Sequence, residues 1–445
     1  MTFLALALAM LAAPGAAAPA VTTPLAHDAG PQLAAVRTAR RGATIAKRVP
    51  RTRTSPRLPA TSLGPRWLPP PARAGAGQPA LAIAPDGGVW MSWFEPRPSG
   101  GSFLRVATLR GRSWSAARTV AEGDSFVVNW ADVPALHAAG EGRLAIAWPH
   151  RARGGESAVE LRVSQSFDGG VTWSRPVVPH RDRTPNEHGF AAVVAEGERT
   201  RVVWLDGRNA ARAPRPDDAE EGAFDMTVRT ALVDRDGNVT EEKELDGRAC
   251  DCCPTAAVAT SAGTVVAWRD RSPEEIRDIV VARMNGHGWT SAQAIHRDGW
   301  KVPGCPVNGP ALDAEVDRVA AAWYTEAADS ARAYVAFSWD GGRIFGRPVR
   351  VDEGEPIGRV AVALLEENAG VVSWLEGTGK STRLLARRVI PGRAGAATTV
   401  AHVTGPRASG YPRMVRSGDR LVLAWTEGTR PTRLRVAELA FPPAP

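Results

Sequence analysis

Long apolar runs are absent from this sequence after residue 20, where none approaches the ~20 residues that a helix needs to cross a bilayer. We therefore predict no transmembrane segment and no integral membrane protein. A convincing amphipathic helix is also missing, yet 44% of the 445 residues are hydrophobic and 23% are charged. This composition excludes a wholly disordered chain and, without helices, favours a fold built from strands.

Acidic residues are nearly absent between residues 21 and 75, where Asp28 is the single acid among ten arginines and lysines. This segment accounts for the formal net charge of +8 and leaves the remainder close to neutral, which argues against nucleic-acid binding. Its Pro, Ala, Arg and Thr content predicts a mostly disordered segment. Residues 1–20 have no basic residue ahead of their apolar core, but the small residues up to Ala18 and Ala20 favour a secretory signal. We expect an exported protein, periplasmic or extracellular.

A repeat of about 50 residues covers the rest of the chain. In each copy an apolar strand, a tight turn and a second strand end in tryptophan, and a second hairpin often follows. Two hairpins per copy predict a four-stranded blade, so residues 76–445 are predicted to form an all-β propeller. We expect seven blades, or six if the last repeat serves as closure, and an additional strand for the final blade near residues 65–71. The repeat tryptophans are Trp93, Trp148, Trp204, Trp268, Trp323, Trp374 and Trp425.

Two of the second hairpins share the pattern S-x-D-G-G-x-x-aromatic. The aspartate can accept hydrogen bonds from turn amides, the glycines allow positive φ, and the aromatic ring packs between sheets. This pattern resembles the Asp-box (BNR repeat) of the sialidase, or neuraminidase, superfamily, and the resemblance covers about residues 76–440. It implies a turn-stabilising role on outer hairpins, away from the place where sialidases do chemistry. The residues concerned are Ser166, Asp168, Gly170, Trp173, Ser338, Asp340, Gly342 and Phe345.

The loops that lead into the innermost strands converge on one face of a propeller and define a candidate site. Sialidases hold the substrate carboxylate with three arginines and use a tyrosine nucleophile, a glutamate that activates it and an aspartate as acid/base. The first blade lacks the Phe-Arg-Ile-Pro segment of sialidases, and seven blades exceed their six. The alternative to a catalytic site is that the acids and arginines of this face form a ring of surface ion pairs that hold loops. The resemblance implies Arg359, Arg413 and Arg271 for the carboxylate, Tyr411 as nucleophile, Glu187 as its activator and Asp132 as acid/base.

All four cysteines lie where the fourth and fifth blades open. In an exported protein an even number of cysteines predicts disulfides, and Cys250 or Cys252 would bond to Cys305 more comfortably than Cys252 to Cys253. Clustered thiolates also suit copper or zinc, and His188 from the third blade could join such a site. The C-x-C-C-P and later G-C-P motifs resemble those of a bacterial group of exported sialidase-like proteins.

Two functions follow from these features. The resemblance implies an exported glycan-directed protein, in particular an exo-acting glycoside hydrolase of sialylated or other acidic glycans that requires no cofactor. The alternative is a non-catalytic propeller that binds copper or zinc at the cysteine cluster or serves as an interaction platform. In both cases we expect a monomer whose one face takes a glycan or small acidic ligand.

Overall fold

The computed structural model describes residues 63–154, 158–211, 226–366, 368–379 and 381–441, all within the compact unit Pro56–Pro445. The predicted secretory signal at residues 1–20 and the basic segment up to residue 62 lie outside the described residues. Within the described ranges, no helix combines the length and the apolar character that a membrane span requires.

Seven antiparallel sheets form the blades of the predicted all-β propeller. In each blade the chain starts at the innermost strand and moves outward, and each innermost strand contacts that of the next blade, with β28 returning to β2. The second blade has three strands and continues into an isolated bridge between Val163 and Val177. The seven-bladed prediction is therefore confirmed.

The first three blades comprise β2 (Gly77–Ile83), β3 (Val89–Pro96), β4 (Ser102–Arg110), β5 (Ser113–Trp114) and β6 (Arg118–Gly123); β7 (Ala135–Ala138), β8 (Leu144–Arg151) and β9 (Val159–Ser166); and β10 (His188–Glu196), β11 (Arg199–Asp206), β12 (Met226–Val233) and β13 (Val239–Ala249). The fourth and fifth comprise β14 (Ala256–Thr260), β15 (Gly263–Arg269), β16 (Ile279–Asn285), β17 (Gly288–Trp289) and β18 (Gln293–Ala294), then β19 (Ala311–Glu315), β20 (Arg318–Thr325), β21 (Arg332–Ser338) and β22 (Val349–Arg350).

The sixth blade comprises β23 (Pro356–Leu364), β24 (Gly370–Thr378), β25 (Ser381–Ile390), β26 (Arg393–Ala394) and β27 (Thr398–Val403), and the seventh β28 (Arg413–Ser417), β29 (Arg420–Glu427), β30 (Arg433–Ala440) and β1 (Leu63–Trp67). Short helical turns occur at Arg208–Ala211, Ala327–Asp329 and Pro406–Ser409.

The N-terminal strand β1 closes the ring by pairing with β30 as the outermost strand of the seventh blade. The ring of Trp67 lies 5.7 Å from that of Trp425, and Leu68 is buried in the cluster between the seventh and first blades. The expected closing strand is thus present. With β1, the propeller also begins before residue 76. Composition did not reveal this strand, because pairing with an edge strand needs mainly backbone groups.

The repeat tryptophans lie at the interfaces between blades and are at most 1% exposed. Trp204 of the third blade packs against Leu161 and Val163 of the second, and the other six tryptophans have equivalent positions in the remaining interfaces. Five of the indole N–H groups donate to a carboxylate, as Trp204 does to Asp206 at 2.7 Å. The other pairs are Trp93 with Glu95, Trp268 with Asp246, Trp323 with Asp298 and Trp374 with Glu376. Several acids that follow a repeat tryptophan are therefore structural.

Both hairpins with the S-x-D-G-G pattern are held by the same hydrogen bonds. In the second blade, Asp168 accepts the backbone N–H of Val171 at 3.0 Å and of Thr172 at 2.9 Å, while Ser166 accepts that of Gly170 at 2.8 Å. In the fifth blade, Asp340 and Ser338 bind Arg343, Ile344 and Gly342 in the same way, and the rings of Trp173 and Phe345 pack against the core.

The indole–carboxylate bond predicts a measurable difference between two tryptophans. Trp204→Phe should lower the free energy of unfolding more than Trp425→Phe, by about 1.5–3 kcal/mol, because a hydrogen bond to a charged acceptor is lost only in the first variant. Trp425 is the matched control, since it is equally buried and its Nε1 has no hydrogen-bond partner among the described residues. Denaturant unfolding of both variants measures the difference, and equal losses would contradict the assignment.

Candidate functional site

The innermost strands of all seven blades line an axial cavity of about 380 Å³. One end of this cavity is formed by the loops that lead into those strands, and Asp132 and Arg413 are among the residues that line it. Four of the six residues that the sialidase resemblance assigns to a site lie together at this end: Tyr411, Arg413, Arg359 and Asp132.

Backbone bulges at the start of the inner strands bring this region together. The residue after Gly189, Phe190, has φ = 53°, and a side chain on Gly189 would collide with the carboxylate of Asp132. Asp132 accepts the backbone N–H of Phe190. The same arrangement recurs where Asn308 Oδ1 accepts the N–H of Arg359 at 2.9 Å. Asp132 therefore links its blade to the next one, as Asn308 does elsewhere in the ring.

Asp132 is buried, with 4% of its surface exposed. Burial raises the pKa of its carboxyl to about 7, and the nearby Glu187 carboxylate adds to this rise, while the Phe190 N–H and the Arg413 guanidinium oppose it. A carboxyl with such a pKa can exchange a proton near neutrality. The hydrogen bond to Phe190 gives Asp132 a structural role, and its acid/base role stays a prediction of the resemblance.

Tyr411 is buried, and its hydroxyl donates a hydrogen bond to the backbone carbonyl of Val307 across the ring. Burial raises the pKa of the phenol well above its ordinary value. The Arg359 guanidinium carbon lies 4.7 Å and that of Arg413 5.6 Å from the centre of the ring. A nucleophilic phenol needs the opposite, a base that removes its proton. In this arrangement the hydroxyl of Tyr411 is bound to the Val307 carbonyl, and its ring lies beside the guanidinium groups of Arg359 and Arg413.

Arg359 lies between two aromatic rings, 4.3 Å from the centre of Trp130 and 4.7 Å from that of Tyr411. It is 6% exposed, and burial lowers its pKa. Among the described residues, Arg359 alone leaves two buried side-chain nitrogens, Nε and Nη1, without a hydrogen-bond partner. Nε of Arg413 is also unpartnered, and burial lowers the pKa of that side chain too.

The remaining two residues implied by the resemblance lie apart from Tyr411. Arg271 forms an ion pair with Glu275, whose carboxylate also binds Arg248 and Arg277 at 2.9 Å each. Glu187 is exposed. Its pKa is raised mainly by partial desolvation and to a smaller extent by the charge of the Asp251 carboxylate. In the described part of the chain, no contact connects Glu187 or Arg271 with Tyr411.

The four cysteines form one disulfide and one pair of thiols. Cys252 is bonded to Cys305, in agreement with one of the expected pairings, whereas Cys250 and Cys253 are free and buried. The Sγ of Cys250 lies 3.4 Å from that of Cys253 and 4.0 Å from that of Cys252. Arg277 Nη1 donates to the Sγ of Cys250 at 3.2 Å.

The two free thiols differ in acidity. The hydrogen bond between Cys250 and Cys253 and the charges of Arg269 and Arg277 lower the pKa of Cys250 to about 6 despite its burial. Burial and the neighbouring Cys250 raise the pKa of Cys253. Of the two thiols, Cys250 is therefore the one whose thiolate form its surroundings favour.

The predicted metal site has suitable donor chemistry but an unfavourable charge. The Sγ atoms of Cys250, Cys252 and Cys253 lie within 4.8 Å of one another, and thiolates are ligands for copper(I) and zinc. However, Cys252 is held in the disulfide, and a cation at Cys250 would lie next to the Arg277 guanidinium. The arrangement suits thiol chemistry better than cation binding.

His188 does not join the cysteine cluster as expected. Its Nδ1 contacts the carbonyl of Val159 at 2.9 Å, and its Nε2 lies 3.2 Å from Asp182 and 3.6 Å from Asp206. Its ring also stacks on that of His180 at 3.6 Å. Burial disfavours the charged imidazole, but the two carboxylates outweigh burial and raise the pKa of His188. The reason for the error is that its strand turns this side chain into the interface with the second blade.

Two arginines of the cysteine cluster were missed in the sequence. Arg269 donates to the backbone carbonyls of Asn308, Arg277 and Tyr324, and it joins the fourth and fifth blades. It is the only charged residue directly after a repeat tryptophan, so a signal was available. Arg277 lies in a connecting loop without a motif, and nothing in the sequence marks it.

No protein-family model and no curated protein matches the chain, but solved structures match its fold. A protein of unknown function from Dyadobacter fermentans is 14% identical, with 86% of this chain and 99% of that chain covered and a TM-score of 0.49. The endosialidase of phage phi92 is 10% identical, with 86% and 69% covered and a TM-score of 0.46. A Trypanosoma rangeli sialidase in complex with sialic acid is 13% identical, with 81% and 60% covered and a TM-score of 0.43.

The raised pKa of Asp132 predicts a pH-dependent stability. Between about pH 4 and pH 7 the unfolded carboxyl has lost its proton while the folded one retains it, so the free energy of unfolding should fall as pH rises through this range. Asp132→Asn should remove the contribution of Asp132 to this slope and stabilise the protein at pH 8 by on the order of 4 kcal/mol. The amide oxygen can keep the bond to Phe190, as Asn308 does for Arg359.

Denaturant unfolding of the variant and the unmodified protein at pH 5 and pH 8 checks this expectation. Asp313→Asn is a useful comparison, because burial raises the pKa of Asp313 to about 6 and its slope should end at lower pH. A variant with the same pH slope as the unmodified protein would show that Asp132 is ionised in the folded state.

Proposed function

We propose that this protein is an exported glycan-binding propeller that holds the carboxylate of an acidic sugar, sialic acid in particular, with Arg359 and Arg413. The observation that carries this proposal is the pair of unpartnered nitrogens on the buried Arg359 side chain. A buried charge without a counter-charge is costly, and a bound carboxylate would supply both the charge and the acceptors.

The surroundings of Arg359 support a carboxylate as the missing partner. In the described part of the chain, no acidic side chain lies within ion-pair distance of its guanidinium, whereas Arg208, Arg271 and Arg277 each have such a partner. Trp130 and Tyr411 hold the planar group between their rings and thereby fix its orientation. A planar fork in a fixed orientation favours bidentate binding of a carboxylate.

The axial cavity supports a ligand of small size. Its volume of about 380 Å³ is within the range of small-molecule sites, and Arg413 and Asp132 lie in its wall. With a pKa near 7, Asp132 can donate a hydrogen bond to a ligand oxygen when it is protonated. The Asp-box resemblance favours a sialylated or other acidic glycan as the source of the carboxylate.

Binding is better supported than hydrolysis. The Tyr411 hydroxyl donates its hydrogen bond to the Val307 carbonyl. Glu187, its proposed activator, lies near the carboxyl groups of Asp132 and Asp251, whose charges interact with its own. We therefore propose a non-hydrolytic glycan binder, with export to the periplasm or exterior and a monomeric state as parts of the same proposal.

The binding proposal predicts that one arginine controls affinity for N-acetylneuraminic acid. Arg359→Met should weaken binding at least tenfold, because a charge-assisted hydrogen bond contributes about 1.5–3 kcal/mol, while the methionine retains the apolar stem between the rings. Its thermal stability without ligand should not fall, since the variant removes an unpaired buried charge. Isothermal titration calorimetry measures the affinity.

Arg235→Met is the matched control for this experiment. Arg235 also lies over an aromatic ring, 4.7 Å from the centre of Phe167, but this contact is in outer turns away from the axial cavity. The control should bind N-acetylneuraminic acid as the unmodified protein does. Equal affinity in Arg359→Met, or no binding at millimolar concentration by any form, would refute the proposal.

A second experiment separates binding from hydrolysis. Tyr411→Phe should lower the free energy of unfolding by about 1–3 kcal/mol, because it leaves the half-buried carbonyl of Val307 without its donor. The unmodified protein should release no fluorophore from a 4-methylumbelliferyl α-sialoside. Turnover that Tyr411→Phe abolishes without a loss of stability would establish the tyrosine as a nucleophile and overturn the non-hydrolytic assignment.

A further inference from the structure

The cysteine cluster contains a disulfide and a dithiol in contact. Cys250 Sγ lies 4.0 Å from Cys252 Sγ, which is one end of the disulfide, and 3.4 Å from Cys253 Sγ. Thiol–disulfide exchange requires a thiolate next to a disulfide sulfur. Cys250 Sγ, the candidate nucleophile, is thus close to both the disulfide sulfur of Cys252 and the second thiol, Cys253.

The charges around Cys250 favour the nucleophilic form of its sulfur. Arg277 donates to the Sγ at 3.2 Å and is itself 3.6 Å from Asp251, while Arg269 is fixed nearby by backbone carbonyls. Guanidinium groups beside a cysteine stabilise its thiolate, so a larger fraction of the sulfur is deprotonated than in an ordinary cysteine. The same charges disfavour a metal cation at this position.

The two ends of the cluster differ in exposure. Cys250 and Cys253 are buried, with at most 1% of their surface exposed, whereas Cys305 is exposed. The disulfide therefore connects the buried dithiol with the protein surface. An external disulfide can approach Cys305, but it has no direct access to Cys250 or Cys253.

We propose that the four cysteines form a thiol–disulfide exchange site that transfers the two electrons of the buried dithiol to an external disulfide through Cys305. In the first step Cys250 Sγ attacks Cys252 Sγ; the Cys250–Cys252 bond forms and the Cys252–Cys305 bond breaks, with Cys305 leaving as a thiolate. In the second step Cys253 loses its proton to solvent and attacks Cys250, so that a Cys250–Cys253 bond forms and Cys252 leaves as a thiolate. One disulfide and two thiols are present before and after.

The transfer to the external disulfide is balanced in the same way. Cys305 attacks one sulfur of the external disulfide and forms a mixed disulfide, and the other external sulfur leaves as a thiolate. Cys252 then attacks Cys305, re-forms the Cys252–Cys305 bond and releases the second external thiolate. The protein ends with two disulfides, and the external disulfide is reduced by two electrons.

The test uses 5,5′-dithiobis(2-nitrobenzoic acid) as the external disulfide on native, unmodified protein. We expect release of about two thionitrobenzoate ions per chain and a product with Cys250–Cys253 and Cys252–Cys305 bonds. No adduct should remain, because Cys252 resolves the mixed disulfide on Cys305. Absorbance gives the stoichiometry, and peptide mass spectrometry after an acid quench gives the bonds. Denatured protein supplies the total thiol count and should also give two.

Cys253→Ser is the variant that separates the steps, because it lacks the second thiol. It should stop after the first step, release one thionitrobenzoate and retain one adduct on Cys305. Two results would overturn the proposal: native protein that does not react while its denatured form does, or an adduct on Cys250 with the Cys252–Cys305 bond intact throughout.

Discussion

The fold depends on one repeated contact, a tryptophan from the second strand of each blade that is buried against the preceding blade. All seven of these side chains are at most 1% exposed. Burial of such large rings dominates the interface energy, and the N–H group of a buried indole is usually hydrogen-bonded. Carboxylates placed near the ring, such as Asp206 for Trp204, supply that partner in five blades. Three acids that follow a repeat tryptophan, Glu95, Asp206 and Glu376, thus belong to the scaffold.

With the blades fixed in this way, the loops at one end of the axis have little freedom. Links between blades, such as the Asn308 side chain on the Arg359 backbone, set where each loop residue points. They hold Arg359 with φ = 54°, a conformation that is uncommon for a residue with a side chain. The guanidinium is consequently fixed between Trp130 and Tyr411, buried and without an acidic partner in the described part of the chain. The proposed anion site thus depends on the backbone as much as on the side chain.

The blade count and the ring were predictable because the tryptophan and the strand period recur seven times. The loops that meet at one end were predictable from topology, and this brought Tyr411, Arg359, Arg413 and Asp132 together in the sequence analysis. The pairing of individual groups was not predictable. The contact of Tyr411 with Val307 crosses the ring between distant segments, and no local pattern encodes it. Likewise, no local pattern shows that the carboxylate of Asp132 lies against Gly189.

The two chemical features of this end of the propeller share one physical principle. Arg359 and the Cys250 thiolate are both charged groups that their neighbours bury and hold in place. The proposed partner of Arg359 is a ligand carboxylate, and that of Cys250 is the Cys252–Cys305 disulfide. For Cys250 the neighbours include the guanidinium of Arg277, which stabilises the thiolate. For Arg359 the neighbours are aromatic rings, which leave its charge for a ligand.

The most direct measurement of this account compares the affinity of the unmodified protein for N-acetylneuraminic acid and for its methyl ester. The ester keeps the shape of the sugar and lacks the negative charge. If Arg359 and Arg413 hold the carboxylate, the free acid should bind at least tenfold more tightly than the ester. Equal affinities for the two compounds would contradict the account, because the site would then recognise the sugar without its charge.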